Sequence, residues 1–166
     1  MHFRDSPTTI RRMLPAAALV AFVATTASAQ TASQTITFQV DAINQIGFAG
    51  SPSLVINTAS AGSNPSNATA SATWAVTTNQ SGAKITASIG SAMPASVTLE
   101  VNLAAPTGAT SAGSQPLSTT AVDLVTGITK VAQGALAVTY TLMATPAAGV
   151  VTSTSRTVTY TITGGT

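Results

Sequence analysis

Val97-Thr98-Leu99-Glu100-Val101-Asn102-Leu103 is the stretch that decides the fold, because apolar and polar residues alternate along it without a break. A period of two places its four apolar side chains on one face and Glu100 on the other. Such a pattern is typical of a strand that is buried on one side and solvated on the other. The stretch therefore predicts one strand of an antiparallel sheet.

Similar segments recur along most of the chain after residue 29. They lie at 35–40, 53–57 (a short apolar run), 72–77, 84–89, 121–125, 135–142 and 156–163. Loops rich in Gly, Ser, Asn and Pro separate these segments. No stretch of the chain after residue 29 shows helical periodicity with caps. Short strands between turn signals predict an all-β fold, an antiparallel immunoglobulin-like sandwich of about seven to eight strands.

Two details of the sequence suggest how these strands pair. The turn cluster Asn79-Gln80-Ser81-Gly82 separates 72–77 from 84–89, which predicts a hairpin. The stretches Val138-Thr139-Tyr140-Thr141-Leu142 and Val158-Thr159-Tyr160-Thr161-Ile162 are near copies. We interpret these copies as two strands of one sheet with the same inward and outward pattern.

The first 29 residues have the composition of an export signal. Three arginines precede the apolar run 13–24, and Ala27 and Ala29 supply the small residues of a cleavage site. The run is shorter than the roughly 20 residues that a membrane-spanning helix needs. We predict a cleaved export signal at 1–29, one β-sandwich domain at 30–166, and export to the periplasm, cell surface or medium without a transmembrane segment in the mature chain.

Removal of this segment would change the charge balance. The whole chain carries six Lys and Arg against four Asp and Glu, for a net charge of +2. Three of the basic residues and one acid lie within 1–29, so the predicted mature chain keeps three charges of each sign. A neutral chain with three scattered cations cannot neutralise many phosphates, which excludes nucleic acid as an expected partner.

The residue types needed for most catalytic sites are missing. The chain has no Cys, and its one His lies at position 2, within the predicted signal. Ser-His-Asp and Cys-His sites and typical zinc sites are therefore excluded from the mature chain. Asp41, Glu100 and Asp123 are isolated from one another in the sequence and fit solvated surface charges. We predict that the protein is not an enzyme and has no cofactor or metal.

Trp74, Tyr140 and Tyr160 are the aromatic residues best placed to hold a ligand. Each lies in phase with apolar neighbours on its strand, which indicates the core first. An alternative is that one of these rings is an exposed platform on which a sugar stacks. The protein would then be a carbohydrate-binding or adhesion module.

Threonines alternate with the apolar residues of the last strands. They are Thr139, Thr141, Thr157, Thr159, Thr161 and Thr163. The strand preference of β-branched residues explains much of this pattern. A second alternative function is an ice-binding, Thr-rich surface.

The stretch Thr35-Ile36-Thr37-Phe38-Gln39-Val40 is an uncharged, alternating strand candidate near the predicted mature N-terminus. Proteins commonly guard strand edges with charges or Pro, and a net charge near zero weakens self-repulsion. We interpret Thr35, Ile36, Thr37, Phe38 and Val40 as a strand-pairing segment. Its expected partner is another copy of the chain or another secreted β-protein, joined by β-strand addition.

An export signal, this N-terminal strand and a final alternating strand with Tyr160 resemble the pattern of bacterial fimbrial subunits. The resemblance implies an immunoglobulin-like sandwich that is complemented by the N-terminal strand of a neighbouring subunit. Many such subunits carry a cysteine pair, which this chain does not have. The expected function is therefore that of a secreted structural or adhesive protein, a self-associating subunit that uses strand-edge pairing.

Overall fold

The computed structural model describes residues 27–166, and residues 1–26, with most of the predicted export signal, lie outside this part. Residues 27–38 belong to one compact unit and contain no helix or strand. Residues 39–166 form a second unit that contains all the regular structure described below. Within residues 27–166, no helix is long and apolar enough to cross a membrane.

Nine strands and one turn of 3₁₀ helix make up the regular structure of residues 27–166. The strands are β1 (Asn44–Ala49), β2 (Ala68–Thr78), β3 (Ala83–Ile89), β4 (Val97–Leu103), β5 (Thr110–Ser111), β6 (Gln115–Pro116), β7 (Val122–Ile128), β8 (Val131–Ala144) and β9 (Val158–Thr163). The 3₁₀ turn, Pro146–Ala148, lies between β8 and β9.

The strands form two antiparallel sheets. The five-stranded sheet has the order β1-β2-β8-β4-β6, and the four-stranded sheet has the order β5-β7-β3-β9. Every pairing within the two sheets is antiparallel. The prediction of an all-β, antiparallel fold is confirmed.

One hydrophobic core contains side chains from both sheets. Its fully buried members include Trp74, Val101 and Val138 of the five-stranded sheet and Ile85 and Leu124 of the four-stranded sheet. Along β2, β3 and β4 buried and more exposed residues alternate, because successive side chains of a strand point to opposite faces. Two antiparallel sheets that share one core are the arrangement of a β-sandwich.

Most of the predicted strands are present in the structure, and β4 has the predicted limits of 97–103. Two predictions are wrong, since 35–40 and 53–57 are not strands. The segment 35–40 is extensively exposed and pairs with no strand in the described part of the chain. Conversely, β1 and the two-residue strands β5 and β6 were not predicted.

The predicted hairpin of 72–77 and 84–89 is also wrong, because β2 and β3 belong to different sheets. Residues 79–82 therefore connect the sheets. The amide N–H of Asn79 donates to the carbonyl of Ile43, and the carbonyl of Gln80 accepts from the N–H of Lys130. These partners precede β1 and β8, and they hold the connection at the end of the five-stranded sheet.

The two near copies also lie in opposite sheets, Val138–Leu142 in β8 and Val158–Ile162 in β9. The interpretation as two strands of one sheet is wrong. The shared pattern turns their tyrosines towards each other, and it places Thr139 and Thr161 on opposite outer faces. The threonines of the last strands therefore do not form a single array.

Candidate functional site

The segment 35–40, called the N-terminal segment below, exposes its apolar residues. Ile36, Phe38 and Val40 are 76%, 88% and 77% exposed. Exposed apolar surface is unfavourable by about 25 cal/mol per Å² relative to its burial. Their alternation with Thr35, Thr37 and Gln39 would place all three on one face of a strand. The segment therefore has the side-chain pattern of a strand but no strand partner in the described residues.

Asn79 fixes the chain between the N-terminal segment and β1. Its Oδ1 accepts a hydrogen bond from the N–H of Ile43 at 2.8 Å, and its Nδ2 donates to the carbonyl of Asp41 at 2.7 Å. Its own N–H donates to the carbonyl of Ile43 at 3.2 Å. Residues 41–43 thus have a defined position, directly before β1 begins at Asn44.

The four edge strands of the two sheets differ in length and protection. β5 and β6 have two residues each, and β6 contains Pro116. Very short strands and Pro both discourage pairing with another chain. By contrast β1 and β9 are six residues long, and neither contains a charge or a Pro. The two long edges therefore have neither of these protections against strand addition.

An aromatic cluster joins the sheets beside these two edges. The ring of Phe48 on β1 stacks on Tyr160 of β9, with 3.8 Å between centroids, and on Trp74 of β2, with 6.1 Å. The hydroxyls of Tyr160 and Tyr140 are hydrogen-bonded at 2.6 Å. Phe48 and β1 were not identified as part of a site from the sequence. The signal was the alternation of Ile46 and Phe48 with polar or small residues, interrupted by Gly47.

The structure places the predicted ligand platform inside this cluster. Trp74 is 1% exposed and Tyr140 is 8% exposed, so neither offers an open ring face to a sugar. Tyr160 is half-buried and Phe48 stacks on its ring. Burial, and after it the hydrogen bond with Tyr140, raises the pKa of Tyr160 well above its usual range. Its hydroxyl therefore stays neutral in the folded protein at ordinary pH.

The charged side chains are dispersed. Lys84 and Asp123 form a half-exposed ion pair with 2.9 Å between Nζ and Oδ1. The carboxylate of Glu100 accepts from the hydroxyl of Ser114, and that of Asp41 accepts from Nε2 of Gln39, each at 2.6 Å. Among residues 27–166, no group of three or more His, Cys, Asp or Glu is placed to hold a metal ion.

Two shallow depressions flank β2. One, of about 270 Å³, lies over small outward residues of β1, β2 and β8, among them Gly47, Ala75 and Ala135. The other, of about 340 Å³, is lined by Asn79, Lys130 and neighbouring residues. Lys130 is the one titratable side chain that lines either depression. Neither contains a pair of groups for acid–base catalysis.

No protein-family model matches the chain, and no curated protein or solved structure is significantly similar to it. The features that bear on function are therefore two separate ones, the exposed N-terminal segment and the unguarded edges of β1 and β9.

Proposed function

We propose that the protein is an exported structural or adhesive subunit that associates with copies of itself by β-strand pairing. The observation that carries this proposal is the exposure of Phe38 in an alternating segment that has no strand partner among residues 27–166. An isolated strand cannot satisfy its backbone hydrogen bonds or bury its apolar face, and a neighbouring sheet edge supplies both. The N-terminal segment of one copy would be the strand that is added to the sheet of another.

An immunoglobulin-like strand order is part of the same proposal. Immunoglobulin-like domains place strands A, B, E and D in one sheet and C, F and G in the other. The series β1-β2-β8-β4 has the sequence relationships of A-B-E-D, and β3 and β9 are neighbours as C and F are. β7 has no counterpart in this scheme. Within residues 27–166, no strand occupies the G position at the outer edge of β9.

The N-terminal segment has the side-chain pattern of β9 itself. Residues 35–40 read T-I-T-F-Q-V, and residues 157–162 read T-V-T-Y-T-I. In an antiparallel pairing, Phe38 opposite Tyr160 would also place β-branched residues opposite each other on both sides. Such cross-strand pairs contribute about 0.2–1 kcal/mol each. This pairing would complete the burial of Val158, Tyr160 and Ile162, the inward residues of β9, which are only half-buried.

Charge does not oppose contact between two copies at these elements. The N-terminal segment and β9 contain no charged residue. Residues 30–166 carry three charges of each sign, so electrostatic repulsion between copies is weak. Association would therefore depend mainly on backbone hydrogen bonds and apolar contact.

Cross-linking between two cysteine variants tests the proposal. In the antiparallel register Thr37 lies opposite Thr161, and directly opposed residues are about 4.5–5.5 Å apart at Cα, within the range of a disulfide. We expect a mixture of the Thr37→Cys and Thr161→Cys proteins to form a mixed disulfide dimer under mild oxidation. The chain has no native Cys that could compete.

Thr141→Cys is the matched control. Thr141 has the place of Thr161 in the near-copy sequence, but it lies on β8, between β2 and β4 and away from any edge. It should therefore form no mixed disulfide with Thr37→Cys. A wild-type protein that stays monomeric at high concentration would contradict self-association. Association without the Thr37–Thr161 disulfide would contradict the β9 register alone.

A further inference from the structure

The outer face of the five-stranded sheet carries a regular set of hydroxyl groups. It consists of Thr69, Ser71 and Thr73 on β2 and Thr139 and Thr141 on β8, and we call it the hydroxyl face. In the register of the two strands Thr69 lies opposite Thr141, and Ser71 lies opposite Thr139. Alternate residues of a strand are about 7 Å apart and neighbouring strands about 4.8 Å apart, so the hydroxyls repeat in two dimensions.

These hydroxyls are free to bind molecules outside the protein. Within residues 27–166, none of the five forms a hydrogen bond to a protein group. The three on β2 are exposed and the two on β8 are partly exposed. Each hydroxyl can donate one hydrogen bond and accept two.

The surroundings of the hydroxyl face determine which ligand fits it. Glu100 lies directly opposite Thr141 on β4, so one carboxylate stands at the margin of the hydroxyl face, where it accepts from the hydroxyl of Ser114. Ser71, Thr73 and Thr139 have no charged residue opposite them in the register. On the outer face of the four-stranded sheet, Thr86 lies directly opposite Asp123, which pairs with Lys84. A charged group holds its own hydration shell and disturbs an ordered water layer, so the uncharged part of the hydroxyl face around Thr139 is the part suited to hold one.

A sugar is not the ligand that this face favours, because the hydroxyl face has no exposed aromatic ring. Sugars stack on exposed aromatic rings, whereas Trp74 and Tyr140 of these same strands are buried on the inner face. The hydroxyl face offers instead a repeated pair of groups, a threonine methyl beside its hydroxyl. The methyl limits the orientations of nearby water, and the hydroxyl holds that water in place. This combination favours water that is already ordered in a lattice.

We propose that the hydroxyl face binds ice. The ligand is the surface of an ice crystal, and the water ordered between the two rows of hydroxyls joins its lattice. The activity does not depend on self-association, because β2 and β8 are interior strands and all five residues belong to one copy. Association of several copies would increase the number of such faces on one particle.

Inhibition of ice recrystallisation by the purified protein tests this proposal. We expect the wild-type protein to keep ice grains small and the Thr139→Lys variant to lose this effect, because a long charged side chain would stand in the middle of the face. Thr86→Lys is the matched control, since Thr86 is an outward threonine on an interior strand of the other sheet. It should retain wild-type activity.

Circular dichroism of both variants verifies that each is folded. If Thr139→Lys fails to fold, the smaller change Thr139→Val, which removes the hydroxyl and keeps the β-branched shape, takes its place with the same expectation of loss. Wild-type protein without any effect on ice grains would overturn the proposal. Equal loss in the Thr139 and Thr86 variants would overturn the assignment to this face.

Discussion

The hydroxyls of Tyr140 and Tyr160 lie 2.6 Å apart, and their hydrogen bond links the two sheets. Tyr140 is on β8 of the five-stranded sheet, and Tyr160 is on β9 of the four-stranded sheet. Each hydroxyl gives the other a partner in a largely apolar environment. The ring of Tyr160 also stacks on Phe48, so this edge of the sandwich is joined by both polar and aromatic contacts.

Loss of either hydroxyl alone should destabilise the protein, and loss of both should cost less free energy of unfolding than the two single losses added together. Tyr140→Phe leaves the hydroxyl of Tyr160 without its partner, at a cost of about 1–3 kcal/mol. In the double variant with Tyr160→Phe no hydroxyl is left unpaired, so the combined loss should be smaller than the sum of the single losses. Urea unfolding of the four proteins gives these free energies. Additive losses would show that the two hydroxyls do not interact.

The raised pKa of Tyr160 predicts a loss of stability at alkaline pH. The folded protein keeps the hydroxyl protonated, whereas in the unfolded chain it ionises near its ordinary pKa of about 10. The stability that the protonated Tyr160 hydroxyl contributes is fully present below about pH 10. It is lost as the pH rises from there towards the raised pKa of the folded state. The free energy of unfolding should fall less steeply above pH 10 in Tyr160→Phe. Equal slopes in wild type and variant would contradict this prediction.

Trp74 offers a test of packing against hydrogen bonding in the core. It is almost fully buried, and its Nε1 has no hydrogen-bond partner among residues 27–166. Trp74→Ala should cost about 3–5 kcal/mol, because it leaves a large cavity. Trp74→Phe should cost much less, since it keeps an aromatic ring and removes an unsatisfied donor. Thermal unfolding followed by circular dichroism compares the two, and equal losses would contradict the prediction that packing of the aromatic ring accounts for most of the contribution of Trp74.

The sequence was informative about which residues lie inside and less so about which strands are neighbours. β4 has its predicted limits because an alternating run such as 97–103 has one stable orientation once a face is buried. The same alternation does not specify a partner strand. The turn 79–82 shows this, because it has the composition of a hairpin turn and yet connects two different sheets. Its contacts with Ile43 and Lys130 come from distant parts of the chain.

For the candidate site too, the sequence predicted the pattern of single segments but not the contacts between them. Alternation in the N-terminal segment indicated a strand, but its residues are exposed, because no described strand provides a partner. The sequence did not predict β1, because Gly47 weakens the strand pattern around Phe48. The stacking of Phe48 on Tyr160 could not be inferred, because it depends on the packing of two sheets. Local patterns carry no information about such contacts.

Gly165 should not tolerate a side chain. A Cβ at this position would overlap the carbonyl oxygen of Ser81, whereas the adjacent Thr166 exchanges two backbone hydrogen bonds with Ser81. Gly165→Ala is expected to break this pairing and to cost about 2 kcal/mol, at about 1 kcal/mol for each hydrogen bond. Gly90→Ala is the control, because a Cβ there meets no atom within 4 Å. Denaturant unfolding should separate the variants, and equal stabilities would refute the overlap.

Phe38→Ala should separate association from folding. Because Phe38 is 88% exposed, its loss should change the free energy of unfolding by no more than about 0.5 kcal/mol. Its burial against a second copy would remove a large apolar side chain from water, so association should weaken markedly. Val150→Ala is the matched control, since Val150 is 99% exposed and lies in the loop between β8 and β9. Sedimentation velocity over a range of concentrations measures the three proteins. If Phe38→Ala associates as the wild type does, the N-terminal segment is not the contact, because the strand face that it would bury has lost its largest side chain.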